Sequence, residues 1–335
     1  MTMIGMMALT YLFLAGLGAF LYMYMVHPVI FIHLYFRISV WLSGLKLKYV
    51  NIDDMTICYG EKGKRRKGQP SMILLHGFTA CKFMWSPLAK NLSHDCHVIA
   101  VDLPGHGDSD TPTEDEDISH TTTVKKMNQI ICRLGLEEEP FHLVGMSMGG
   151  ALAGLYAAQY PEHIHSLTLI CPAMRTPIES PFWGDIHAAL EQGMTNLHEK
   201  CTLLFPQSAH QVQDMLRFVQ FNNSWVPKQI LQGVVDFRKN YYPFYARLFN
   251  MIAQPDNHHL LRDCATKITA PTQIIWGEED QVIHASGAAV LKELLPNCVR
   301  VDLIPRCGHS MSTDRPGAMT KALLTFRSGL EQKTR

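Results

Sequence analysis

Phe141-His142-Leu143-Val144-Gly145-Met146-Ser147-Met148-Gly149-Gly150-Ala151-Leu152-Ala153-Gly154-Leu155 is the stretch from which the rest of the chain is read. Its first four residues are an apolar run of strand length, and its last five read as a helix. Between them stands Gly-x-Ser-x-Gly. A serine on such a strand-to-helix turn projects its hydroxyl above the sheet, and small residues on both sides let strand and helix approach without a clash. Ser147 is therefore the candidate nucleophile. The same pentapeptide also occurs as an ordinary glycine-rich turn, and the flanking strand and helix separate the two readings.

A serine hydroxyl attacks poorly until a neighbouring base takes its proton, so a histidine and an acid should follow. Thr272-Gln273-Ile274-Ile275-Trp276 reads as a parallel strand ending in the loop Gly277-Glu278-Glu279-Asp280-Gln281-Val282. Val299-Arg300-Val301-Asp302-Leu303-Ile304 reads as another, leading into Pro305-Arg306-Cys307-Gly308-His309-Ser310. Open α/β sheets collect their catalytic groups on loops beyond the carboxyl ends of the strands. His309 is expected as the base because it sits on such a loop, whereas His163, His165, His210 and His258 fall on or near predicted helices and turns. For the acid, Glu278 and Glu279 compete with Asp280, their bland role being solvated loop charge. Asp280 is preferred because it lies deepest in the loop and directly precedes the apolar Val282-Ile283.

An acyl-transfer site also needs two backbone N–H donors aimed where the carbonyl oxygen becomes negative. One should come from Met148, the residue after the nucleophile. The other should come from Phe78, in the turn His76-Gly77-Phe78-Thr79 after the strand Ser71-Met72-Ile73-Leu74-Leu75. A further strand, Val98-Ile99-Ala100-Val101, runs into Asp102-Leu103-Pro104-Gly105-His106-Gly107-Asp108. Asp102 and His106 are expected to satisfy backbone groups of that turn rather than to take part in chemistry.

These landmarks together resemble the α/β-hydrolase family, and more narrowly its membrane-bound monoacylglycerol lipases. The resemblance rests on His76-Gly77-Phe78, Pro140 to Gly145 with Ser147-Met148-Gly149-Gly150, Gln229-Ile230-Leu231-Gln232-Gly233, Ala270 to Gly277 with Asp280-Gln281-Val282, and Cys307-Gly308-His309-Ser310. It runs along nearly the whole chain, with residues 173 to 225 matching weakly. It implies a mostly parallel, eight-stranded sheet flanked by helices, the triad Ser147, Asp280 and His309, and Asp280 over its glutamate neighbours. The implied activity is hydrolysis of acylglycerol esters, most simply monoacylglycerol to fatty acid and glycerol through an acyl-serine, on an endomembrane such as the late endosome or lysosome. Lysophospholipids or acyl-protein thioesters would suit the same triad. A membrane adaptor with a dead hydrolase fold would not need it complete, and an epoxide hydrolase or dehalogenase would need aspartate in place of Ser147.

The amino-terminal region adds a physical constraint. Met1 to Phe36 contains no Lys, Arg, Asp or Glu, and Ile4 to Val26 exceeds the roughly 20 apolar residues one membrane span requires. A secretory signal would show a basic leading segment and a shorter apolar core, so residues 1–28 are expected to be an anchor. Residues 29–50 mix aromatic and apolar side chains with Arg37, Lys46 and Lys48, which suits a piece lying in the membrane interface. Because the basic residues all follow the span, the catalytic domain is expected in the cytosol. The sequons Asn91-Leu92-Ser93 and Asn222-Asn223-Ser224 would then go unused. Nine scattered cysteines read as reduced thiols.

What remains, 51–335, is expected to be one hydrolase domain. About a hundred residues separate the strand near Ile170 from the one at Thr272, far more than a connection needs. Residues 173–265 are expected to form a helical cap, with Phe182, Trp183, Phe218, Trp225, Tyr241, Tyr242 and Phe244 available to line an acyl pocket. Thirty basic side chains balance thirty acidic ones, which argues against nucleic acid as a partner. The one dense basic run, Lys62 to Lys67, fits a solvated hairpin tip or contact with anionic lipid heads. No cofactor is expected, and no metal, because Cys307-Gly308-His309 lacks a second pair of ligands.

Overall fold

The computed structural model describes residues 3–222 and 224–333. Met1 and Thr2 of the expected anchor and Asn223 of the second sequon lie outside the described residues. Eight strands form one sheet: β1 (Lys46–Ile52), β2 (Met55–Lys62), β3 (Met72–Leu75), β4 (Val98–Val101), β5 (Phe141–Met146), β6 (Ile164–Ile170), β7 (Thr272–Gly277) and β8 (Cys298–Ile304). Their order is β1-β2-β4-β3-β5-β6-β7-β8. The pairs β1/β2 and β2/β4 are antiparallel, and every pair from β4 to β8 is parallel. Strands β3, β4, β5 and β7 are buried along their whole length, as parallel strands covered on both faces must be, which is why they read as continuous apolar runs.

Register places the site. Leu75 lies beside Gly145, Met146 beside Ile170, Ile170 beside Ile275, and Gly277 beside Ile304. The carboxyl ends of β3, β5, β6, β7 and β8 are therefore level, and the turns that follow them open on one edge. Five α-helices come between β6 and β7, Pro181–Glu191, Ala209–Val219, Lys228–Lys239, Tyr242–Ile252 and Pro255–Cys264, and the fourth packs Phe249 on Phe78 and Phe244 on His106 in the turns at that edge. Ser180 and Ser208 cap the first two by accepting from the amides of Trp183 and Gln211. Phe182, Phe205, Phe244 and Phe249 belong to the same continuous core as the sheet.

The amino-terminal part holds two helices, Met3–Val26 and Val29–Ser43. The first is apolar all round, with no buried residue among those described, so it is not a core helix. Its 24 residues span about 36 Å at 1.5 Å per residue, enough for the roughly 30 Å hydrocarbon core of a bilayer. The second turns Ile32, Val40 and Ser43 inward. Phe36 stacks on Phe83 at 4.7 Å and meets Phe237 of the cap at 5.3 Å. Its other face leaves Leu34, Tyr35, Ile38, Trp41 and Leu42 exposed. The sheet begins at Lys46, inside the stretch expected to lie at the interface, because Lys46 to Ile52 find ladder partners in β2.

Two further readings change. Lys62 is buried rather than part of a basic tip, and its ammonium donates to the carbonyls of Ala89 and Leu92 at 2.6 and 2.9 Å, satisfying the end of helix Ser86–Asn91. Arg65 and Arg66 pair with Glu138 and Asp95. His165 lies within β6 rather than on a helix or turn.

Asp102 closes the turn after β4 as expected from its residue type, and does so together with a cation that the sequence did not single out. Its carboxylate accepts from the amides of Lys82 and Asp108 at 2.6 and 2.9 Å. Lys82, fully buried, places its ammonium 2.5 Å from Asp102 and 2.6 Å from Asp108. Removing one member of a buried pair strands the other, so Lys82→Met should destabilise the protein by about 3–5 kcal/mol in urea denaturation. Adding Asp102→Asn, which removes the charge but keeps an acceptor, should recover part of that loss. Simple additivity of the two losses would contradict the pairing.

Candidate active site

Ser147 sits at the junction of β5 and helix Met148–Gln159 with φ 57° and ψ −122°, a conformation that costs a residue with a side chain of order 1–3 kcal/mol. Its neighbours hold it there. Its amide donates to the carbonyl of Ile170 at 2.9 Å, and its own carbonyl accepts from the amides of Gly150, Ala151 and Ala173 at 2.9, 3.0 and 2.9 Å. The turn closes only without flanking side chains. A Cβ on Gly145 would stand 2.1 Å from the carbonyl oxygen of Gly149, and one on Gly149 would stand 2.4 Å from that of His76.

The three expected groups meet above this turn. His309 Nε2 lies 2.9 Å from Ser147 Oγ, and His309 Nδ1 lies 2.7 Å from Asp280 Oδ2. The other oxygen of Asp280 accepts from the amides of Val282 and Ile283, each at 2.9 Å. The apolar pair used to choose Asp280 thus also satisfies its second oxygen. Of its competitors, Glu278 is exposed. Glu279 departs from the solvated role expected for it, because its carboxylate accepts from the amides of Arg306 and Cys307 at 3.0 and 2.8 Å and so supports the loop that carries His309.

Met148 follows Ser147 directly, and Phe78 follows Gly77, on which a Cβ would stand 3.1 Å from Ser147 Cβ. Met148 is the first residue of its helix, where an N–H has no intrahelical acceptor and the helix dipole favours negative charge. Neither amide donates to another protein group among the described residues. The Phe78 amide is aimed by a buried histidine. His76 Nε2 accepts from the Leu103 amide at 3.0 Å, so its proton must lie on Nδ1, which then donates to the carbonyl of Gly77 at 2.8 Å. That carbonyl shares a planar peptide with the Phe78 N–H, and pinning one points the other. Burial pushes His76 down to about 4, so it stays neutral and keeps this tautomer at neutral pH. His106, against His76 at 4.9 Å, is pushed down to about 3 by burial and by that neighbour.

The surroundings of the Phe78 side chain are aromatic. The ring of Phe78 meets Phe205, Tyr245 and Phe249 at 6.0, 5.8 and 5.8 Å, and Phe182 and Trp183 pack on Phe249 from the next helix. Phe182 also meets Phe218. Tyr241 and Tyr242 instead donate to the carbonyls of Gly107 and Pro206, and Phe244 packs edge-on against His106. Trp225 does not line the site at all, since 82% of it is exposed. Phe205, Tyr245 and Phe249 were not singled out from the sequence, where nothing but their aromaticity distinguishes them from core.

Two groups of potential metal donors converge among the described residues, Cys171 with Asp280 and His309, and Cys58 with Asp102 and Asp108. In the first, Asp280 and His309 already bind each other, and burial holds the Cys171 thiol well above its usual range. In the second, both carboxylates are taken by Lys82, and burial pushes Cys58 up to about 11. A thiolate ligand is disfavoured in both.

Residues 70–316 match the family described as alpha/beta hydrolase fold. The chain is 39% identical over 319 residues to Monoacylglycerol lipase abhd6-B of Xenopus laevis, covering 95% of this chain and 93% of that protein. It is 37% identical over 309 residues to Monoacylglycerol lipase ABHD6 of Homo sapiens, covering 92% and 90%. Among solved structures, a membrane phospholipase A described as a bacterial virulence factor superposes with a TM-score of 0.79 at 28% identity, covering 98% of this chain and 99% of that one.

The buried neutral histidines make stability depend on pH. Folded His76 and His106 titrate near 4 and 3, whereas the unfolded chain takes up those protons near about 6.5. Their contribution is complete above about 6.5 and is lost as pH falls towards 4, by up to about 1.4 kcal/mol per pH unit for each group. Urea midpoints should therefore fall between pH 7 and pH 5, and His106→Leu should flatten the slope. An unchanged slope in that variant would remove His106 from the account.

Proposed function

We propose that this chain, which belongs to the α/β-hydrolase family and within it to the group of the ABHD6 monoacylglycerol lipases, cleaves monoacylglycerol into fatty acid and glycerol at a membrane surface. It is a carboxylic ester hydrolase. The observation that carries the catalytic assignment is the hydrogen-bonded series Ser147 Oγ, His309 imidazole and Asp280 carboxylate, at 2.9 and 2.7 Å.

In this reading His309 takes the Ser147 proton as Oγ attacks the ester carbonyl. The Phe78 and Met148 amides receive the oxyanion, a contact typically worth about 3–4 kcal/mol per donor. Asp280 holds the imidazole in the tautomer that leaves Nε2 as acceptor and stabilises the imidazolium once it forms. His309 then gives its proton to the departing glycerol oxygen, and water, deprotonated by the same histidine, releases the fatty acid from Ser147. The Phe78, Phe205 and Phe249 rings suit an acyl chain and offer no partner to a charged substrate. A second reading, hydrolysis of phospholipid or lysophospholipid esters, is favoured by the likeness to the membrane phospholipase A. Turnover of purified enzyme on monoacylglycerol, lysophospholipid and acyl-thioester panels separates the two.

The helix Met3–Val26 is the proposed anchor, with the outward face of Val29–Ser43 in the interface and the hydrolase domain in the cytosol. Arg37, Lys46 and Lys48, all after the span, support that orientation. An endomembrane address accords with the resemblance. A tethered site meets at high local concentration a substrate that partitions into the bilayer.

A fluorophosphonate probe should label the wild type and not Ser147→Ala; equal labelling would refute the nucleophile. Asp280→Asn should fold normally and lose turnover by orders of magnitude, about ten-thousandfold in the protease precedent, while Glu278→Gln should behave as wild type.

The full-length protein should resist alkaline carbonate, and protease outside sealed vesicles should digest its hydrolase domain without detergent. Protection of that domain, or glycan on Asn91, would reverse the orientation.

A further inference from the structure

The loop that carries His309 meets the cap at one place. Helix Ala209–Val219 ends there, and the Ser310 amide donates to the Val219 carbonyl at 2.7 Å. The Gln220 side chain reaches Thr313 Oγ1 at 3.2 Å. Beneath this contact lies Asp314, 8% exposed. One of its oxygens accepts from the amides of Gly308 and Phe221 at 2.8 and 2.6 Å, and the other accepts from the Asn222 amide at 3.0 Å. A single carboxylate therefore holds the residue before His309 and two consecutive amides of the cap. Charge-assisted bonds of this kind are roughly twice as strong as neutral ones.

We propose that Asp314 is a positioning residue that ties the cap segment 219–222 to the His309 loop, so that seating of an acyl chain under the cap and presentation of His309 Nε2 to Ser147 are one event. Gly308 and Phe221 lie on elements far apart in the chain, and without the carboxylate the buried Gly308 amide would be left without a partner while the exposed cap segment at Phe221 would lose its tie to it, a loss that either element would relieve by moving. The inference rests on His309 being the base.

Two comparisons in purified full-length enzyme test it, each on an acetyl and a dodecanoyl ester, with rates normalised to the fraction labelled by fluorophosphonate. Asp314→Ala frees both sides. It should lower kcat on both esters by about tenfold or more and displace the acid limb of the kcat/KM pH profile, with a larger loss for the dodecanoyl ester. Phe221→Pro removes one of the two cap amides held by Asp314, the shorter of the pair, and Gln220 already has the extended backbone (φ −122°, ψ 145°) that precedes proline readily. Against Phe221→Ala, which loses the same ring but keeps the amide, Phe221→Pro should lower kcat/KM on the dodecanoyl ester by about tenfold and leave the acetyl ester unchanged.

Matching behaviour of the two Phe221 variants overturns the inference. So does an Asp314→Ala enzyme whose losses are equal on both esters with the pH profile unmoved, the pattern of a merely structural residue. Should Asp314→Ala fail to fold, the Phe221 pair decides alone, since it leaves the carboxylate and the His309 loop untouched. A fully active His309→Ala would instead remove the base on which the inference depends, whereas an inert His309→Ala with a flat Asp314 and Phe221 series removes the coupling only.

Discussion

The backbone of Ser147, at φ 57° and ψ −122°, is the geometry to which the surrounding structure is fitted. A residue with a side chain stays in that region only where its neighbours over-determine it, and here four backbone hydrogen bonds and two glycines do so. The consequence spreads outward. Because β5 must end in a turn this sharp, helix Met148–Gln159 starts directly after Ser147, and its first amide is left without an intrahelical acceptor beside that hydroxyl. Thr79, Cys171 and Arg306 also hold positive φ, and they stand at the ends of the other strands that feed the same edge. Local backbone strain is thus concentrated where the loops must turn towards one point.

Positioning of the remaining groups is done by buried polar atoms with their partners close at hand. His76 works as a neutral strut whose tautomer is set by the Leu103 amide on one side and whose proton aims the Phe78 peptide on the other. Asp280 divides its two oxygens between His309 and its own loop. Glu279 and Asp314 take up the amides of residues 306, 307 and 308, the three that precede the base. Lys82, Asp102 and Asp108 do the same for the turn after β4. Where the carboxylate is buried, as at Asp102, Asp280 and Asp314, it is tolerated away from water because amides or an ammonium meet it at hydrogen-bond distance.

The apolar amino-terminal helix and the helices between β6 and β7 are neighbours in space. Gln229 of cap helix Lys228–Lys239 reaches the Met25 carbonyl at 3.4 Å, and a Cβ on Gly233 would come within 2.8 Å of the Pro28 carbonyl. The end of the apolar helix Met3–Val26 and the helix Lys228–Lys239 thus lie in contact. The same packing explains why helix Val29–Ser43 buries one apolar face and leaves the other open.

Much of this was legible in the residues themselves. Strands β3, β4, β5 and β7 announced themselves as mostly apolar runs because both their faces are covered, and the order of Ser147, Asp280 and His309 on loops after three of the parallel strands was enough to nominate them. The family follows from the same motifs. Hydrophobic length and the absence of charge marked the amino-terminal helix, since a bilayer imposes a requirement that is linear in sequence. What depends on contacts between distant segments was not legible. Lys62 looked like one more member of a basic run, and only the fold carries its ammonium to the end of helix Ser86–Asn91. Trp225 looked like a pocket aromatic and stands in the open. Glu279, Asp314 and the trio Phe205, Tyr245 and Phe249 carried no pattern of their own, because a side chain's role in holding a loop or walling a cavity is set by which backbone amides and rings the tertiary structure brings against it. The sequence by itself determined the family and the residues that nominate the site; which carboxylates hold the loops was decided only when segments 27 and 93 residues apart in the chain came into contact.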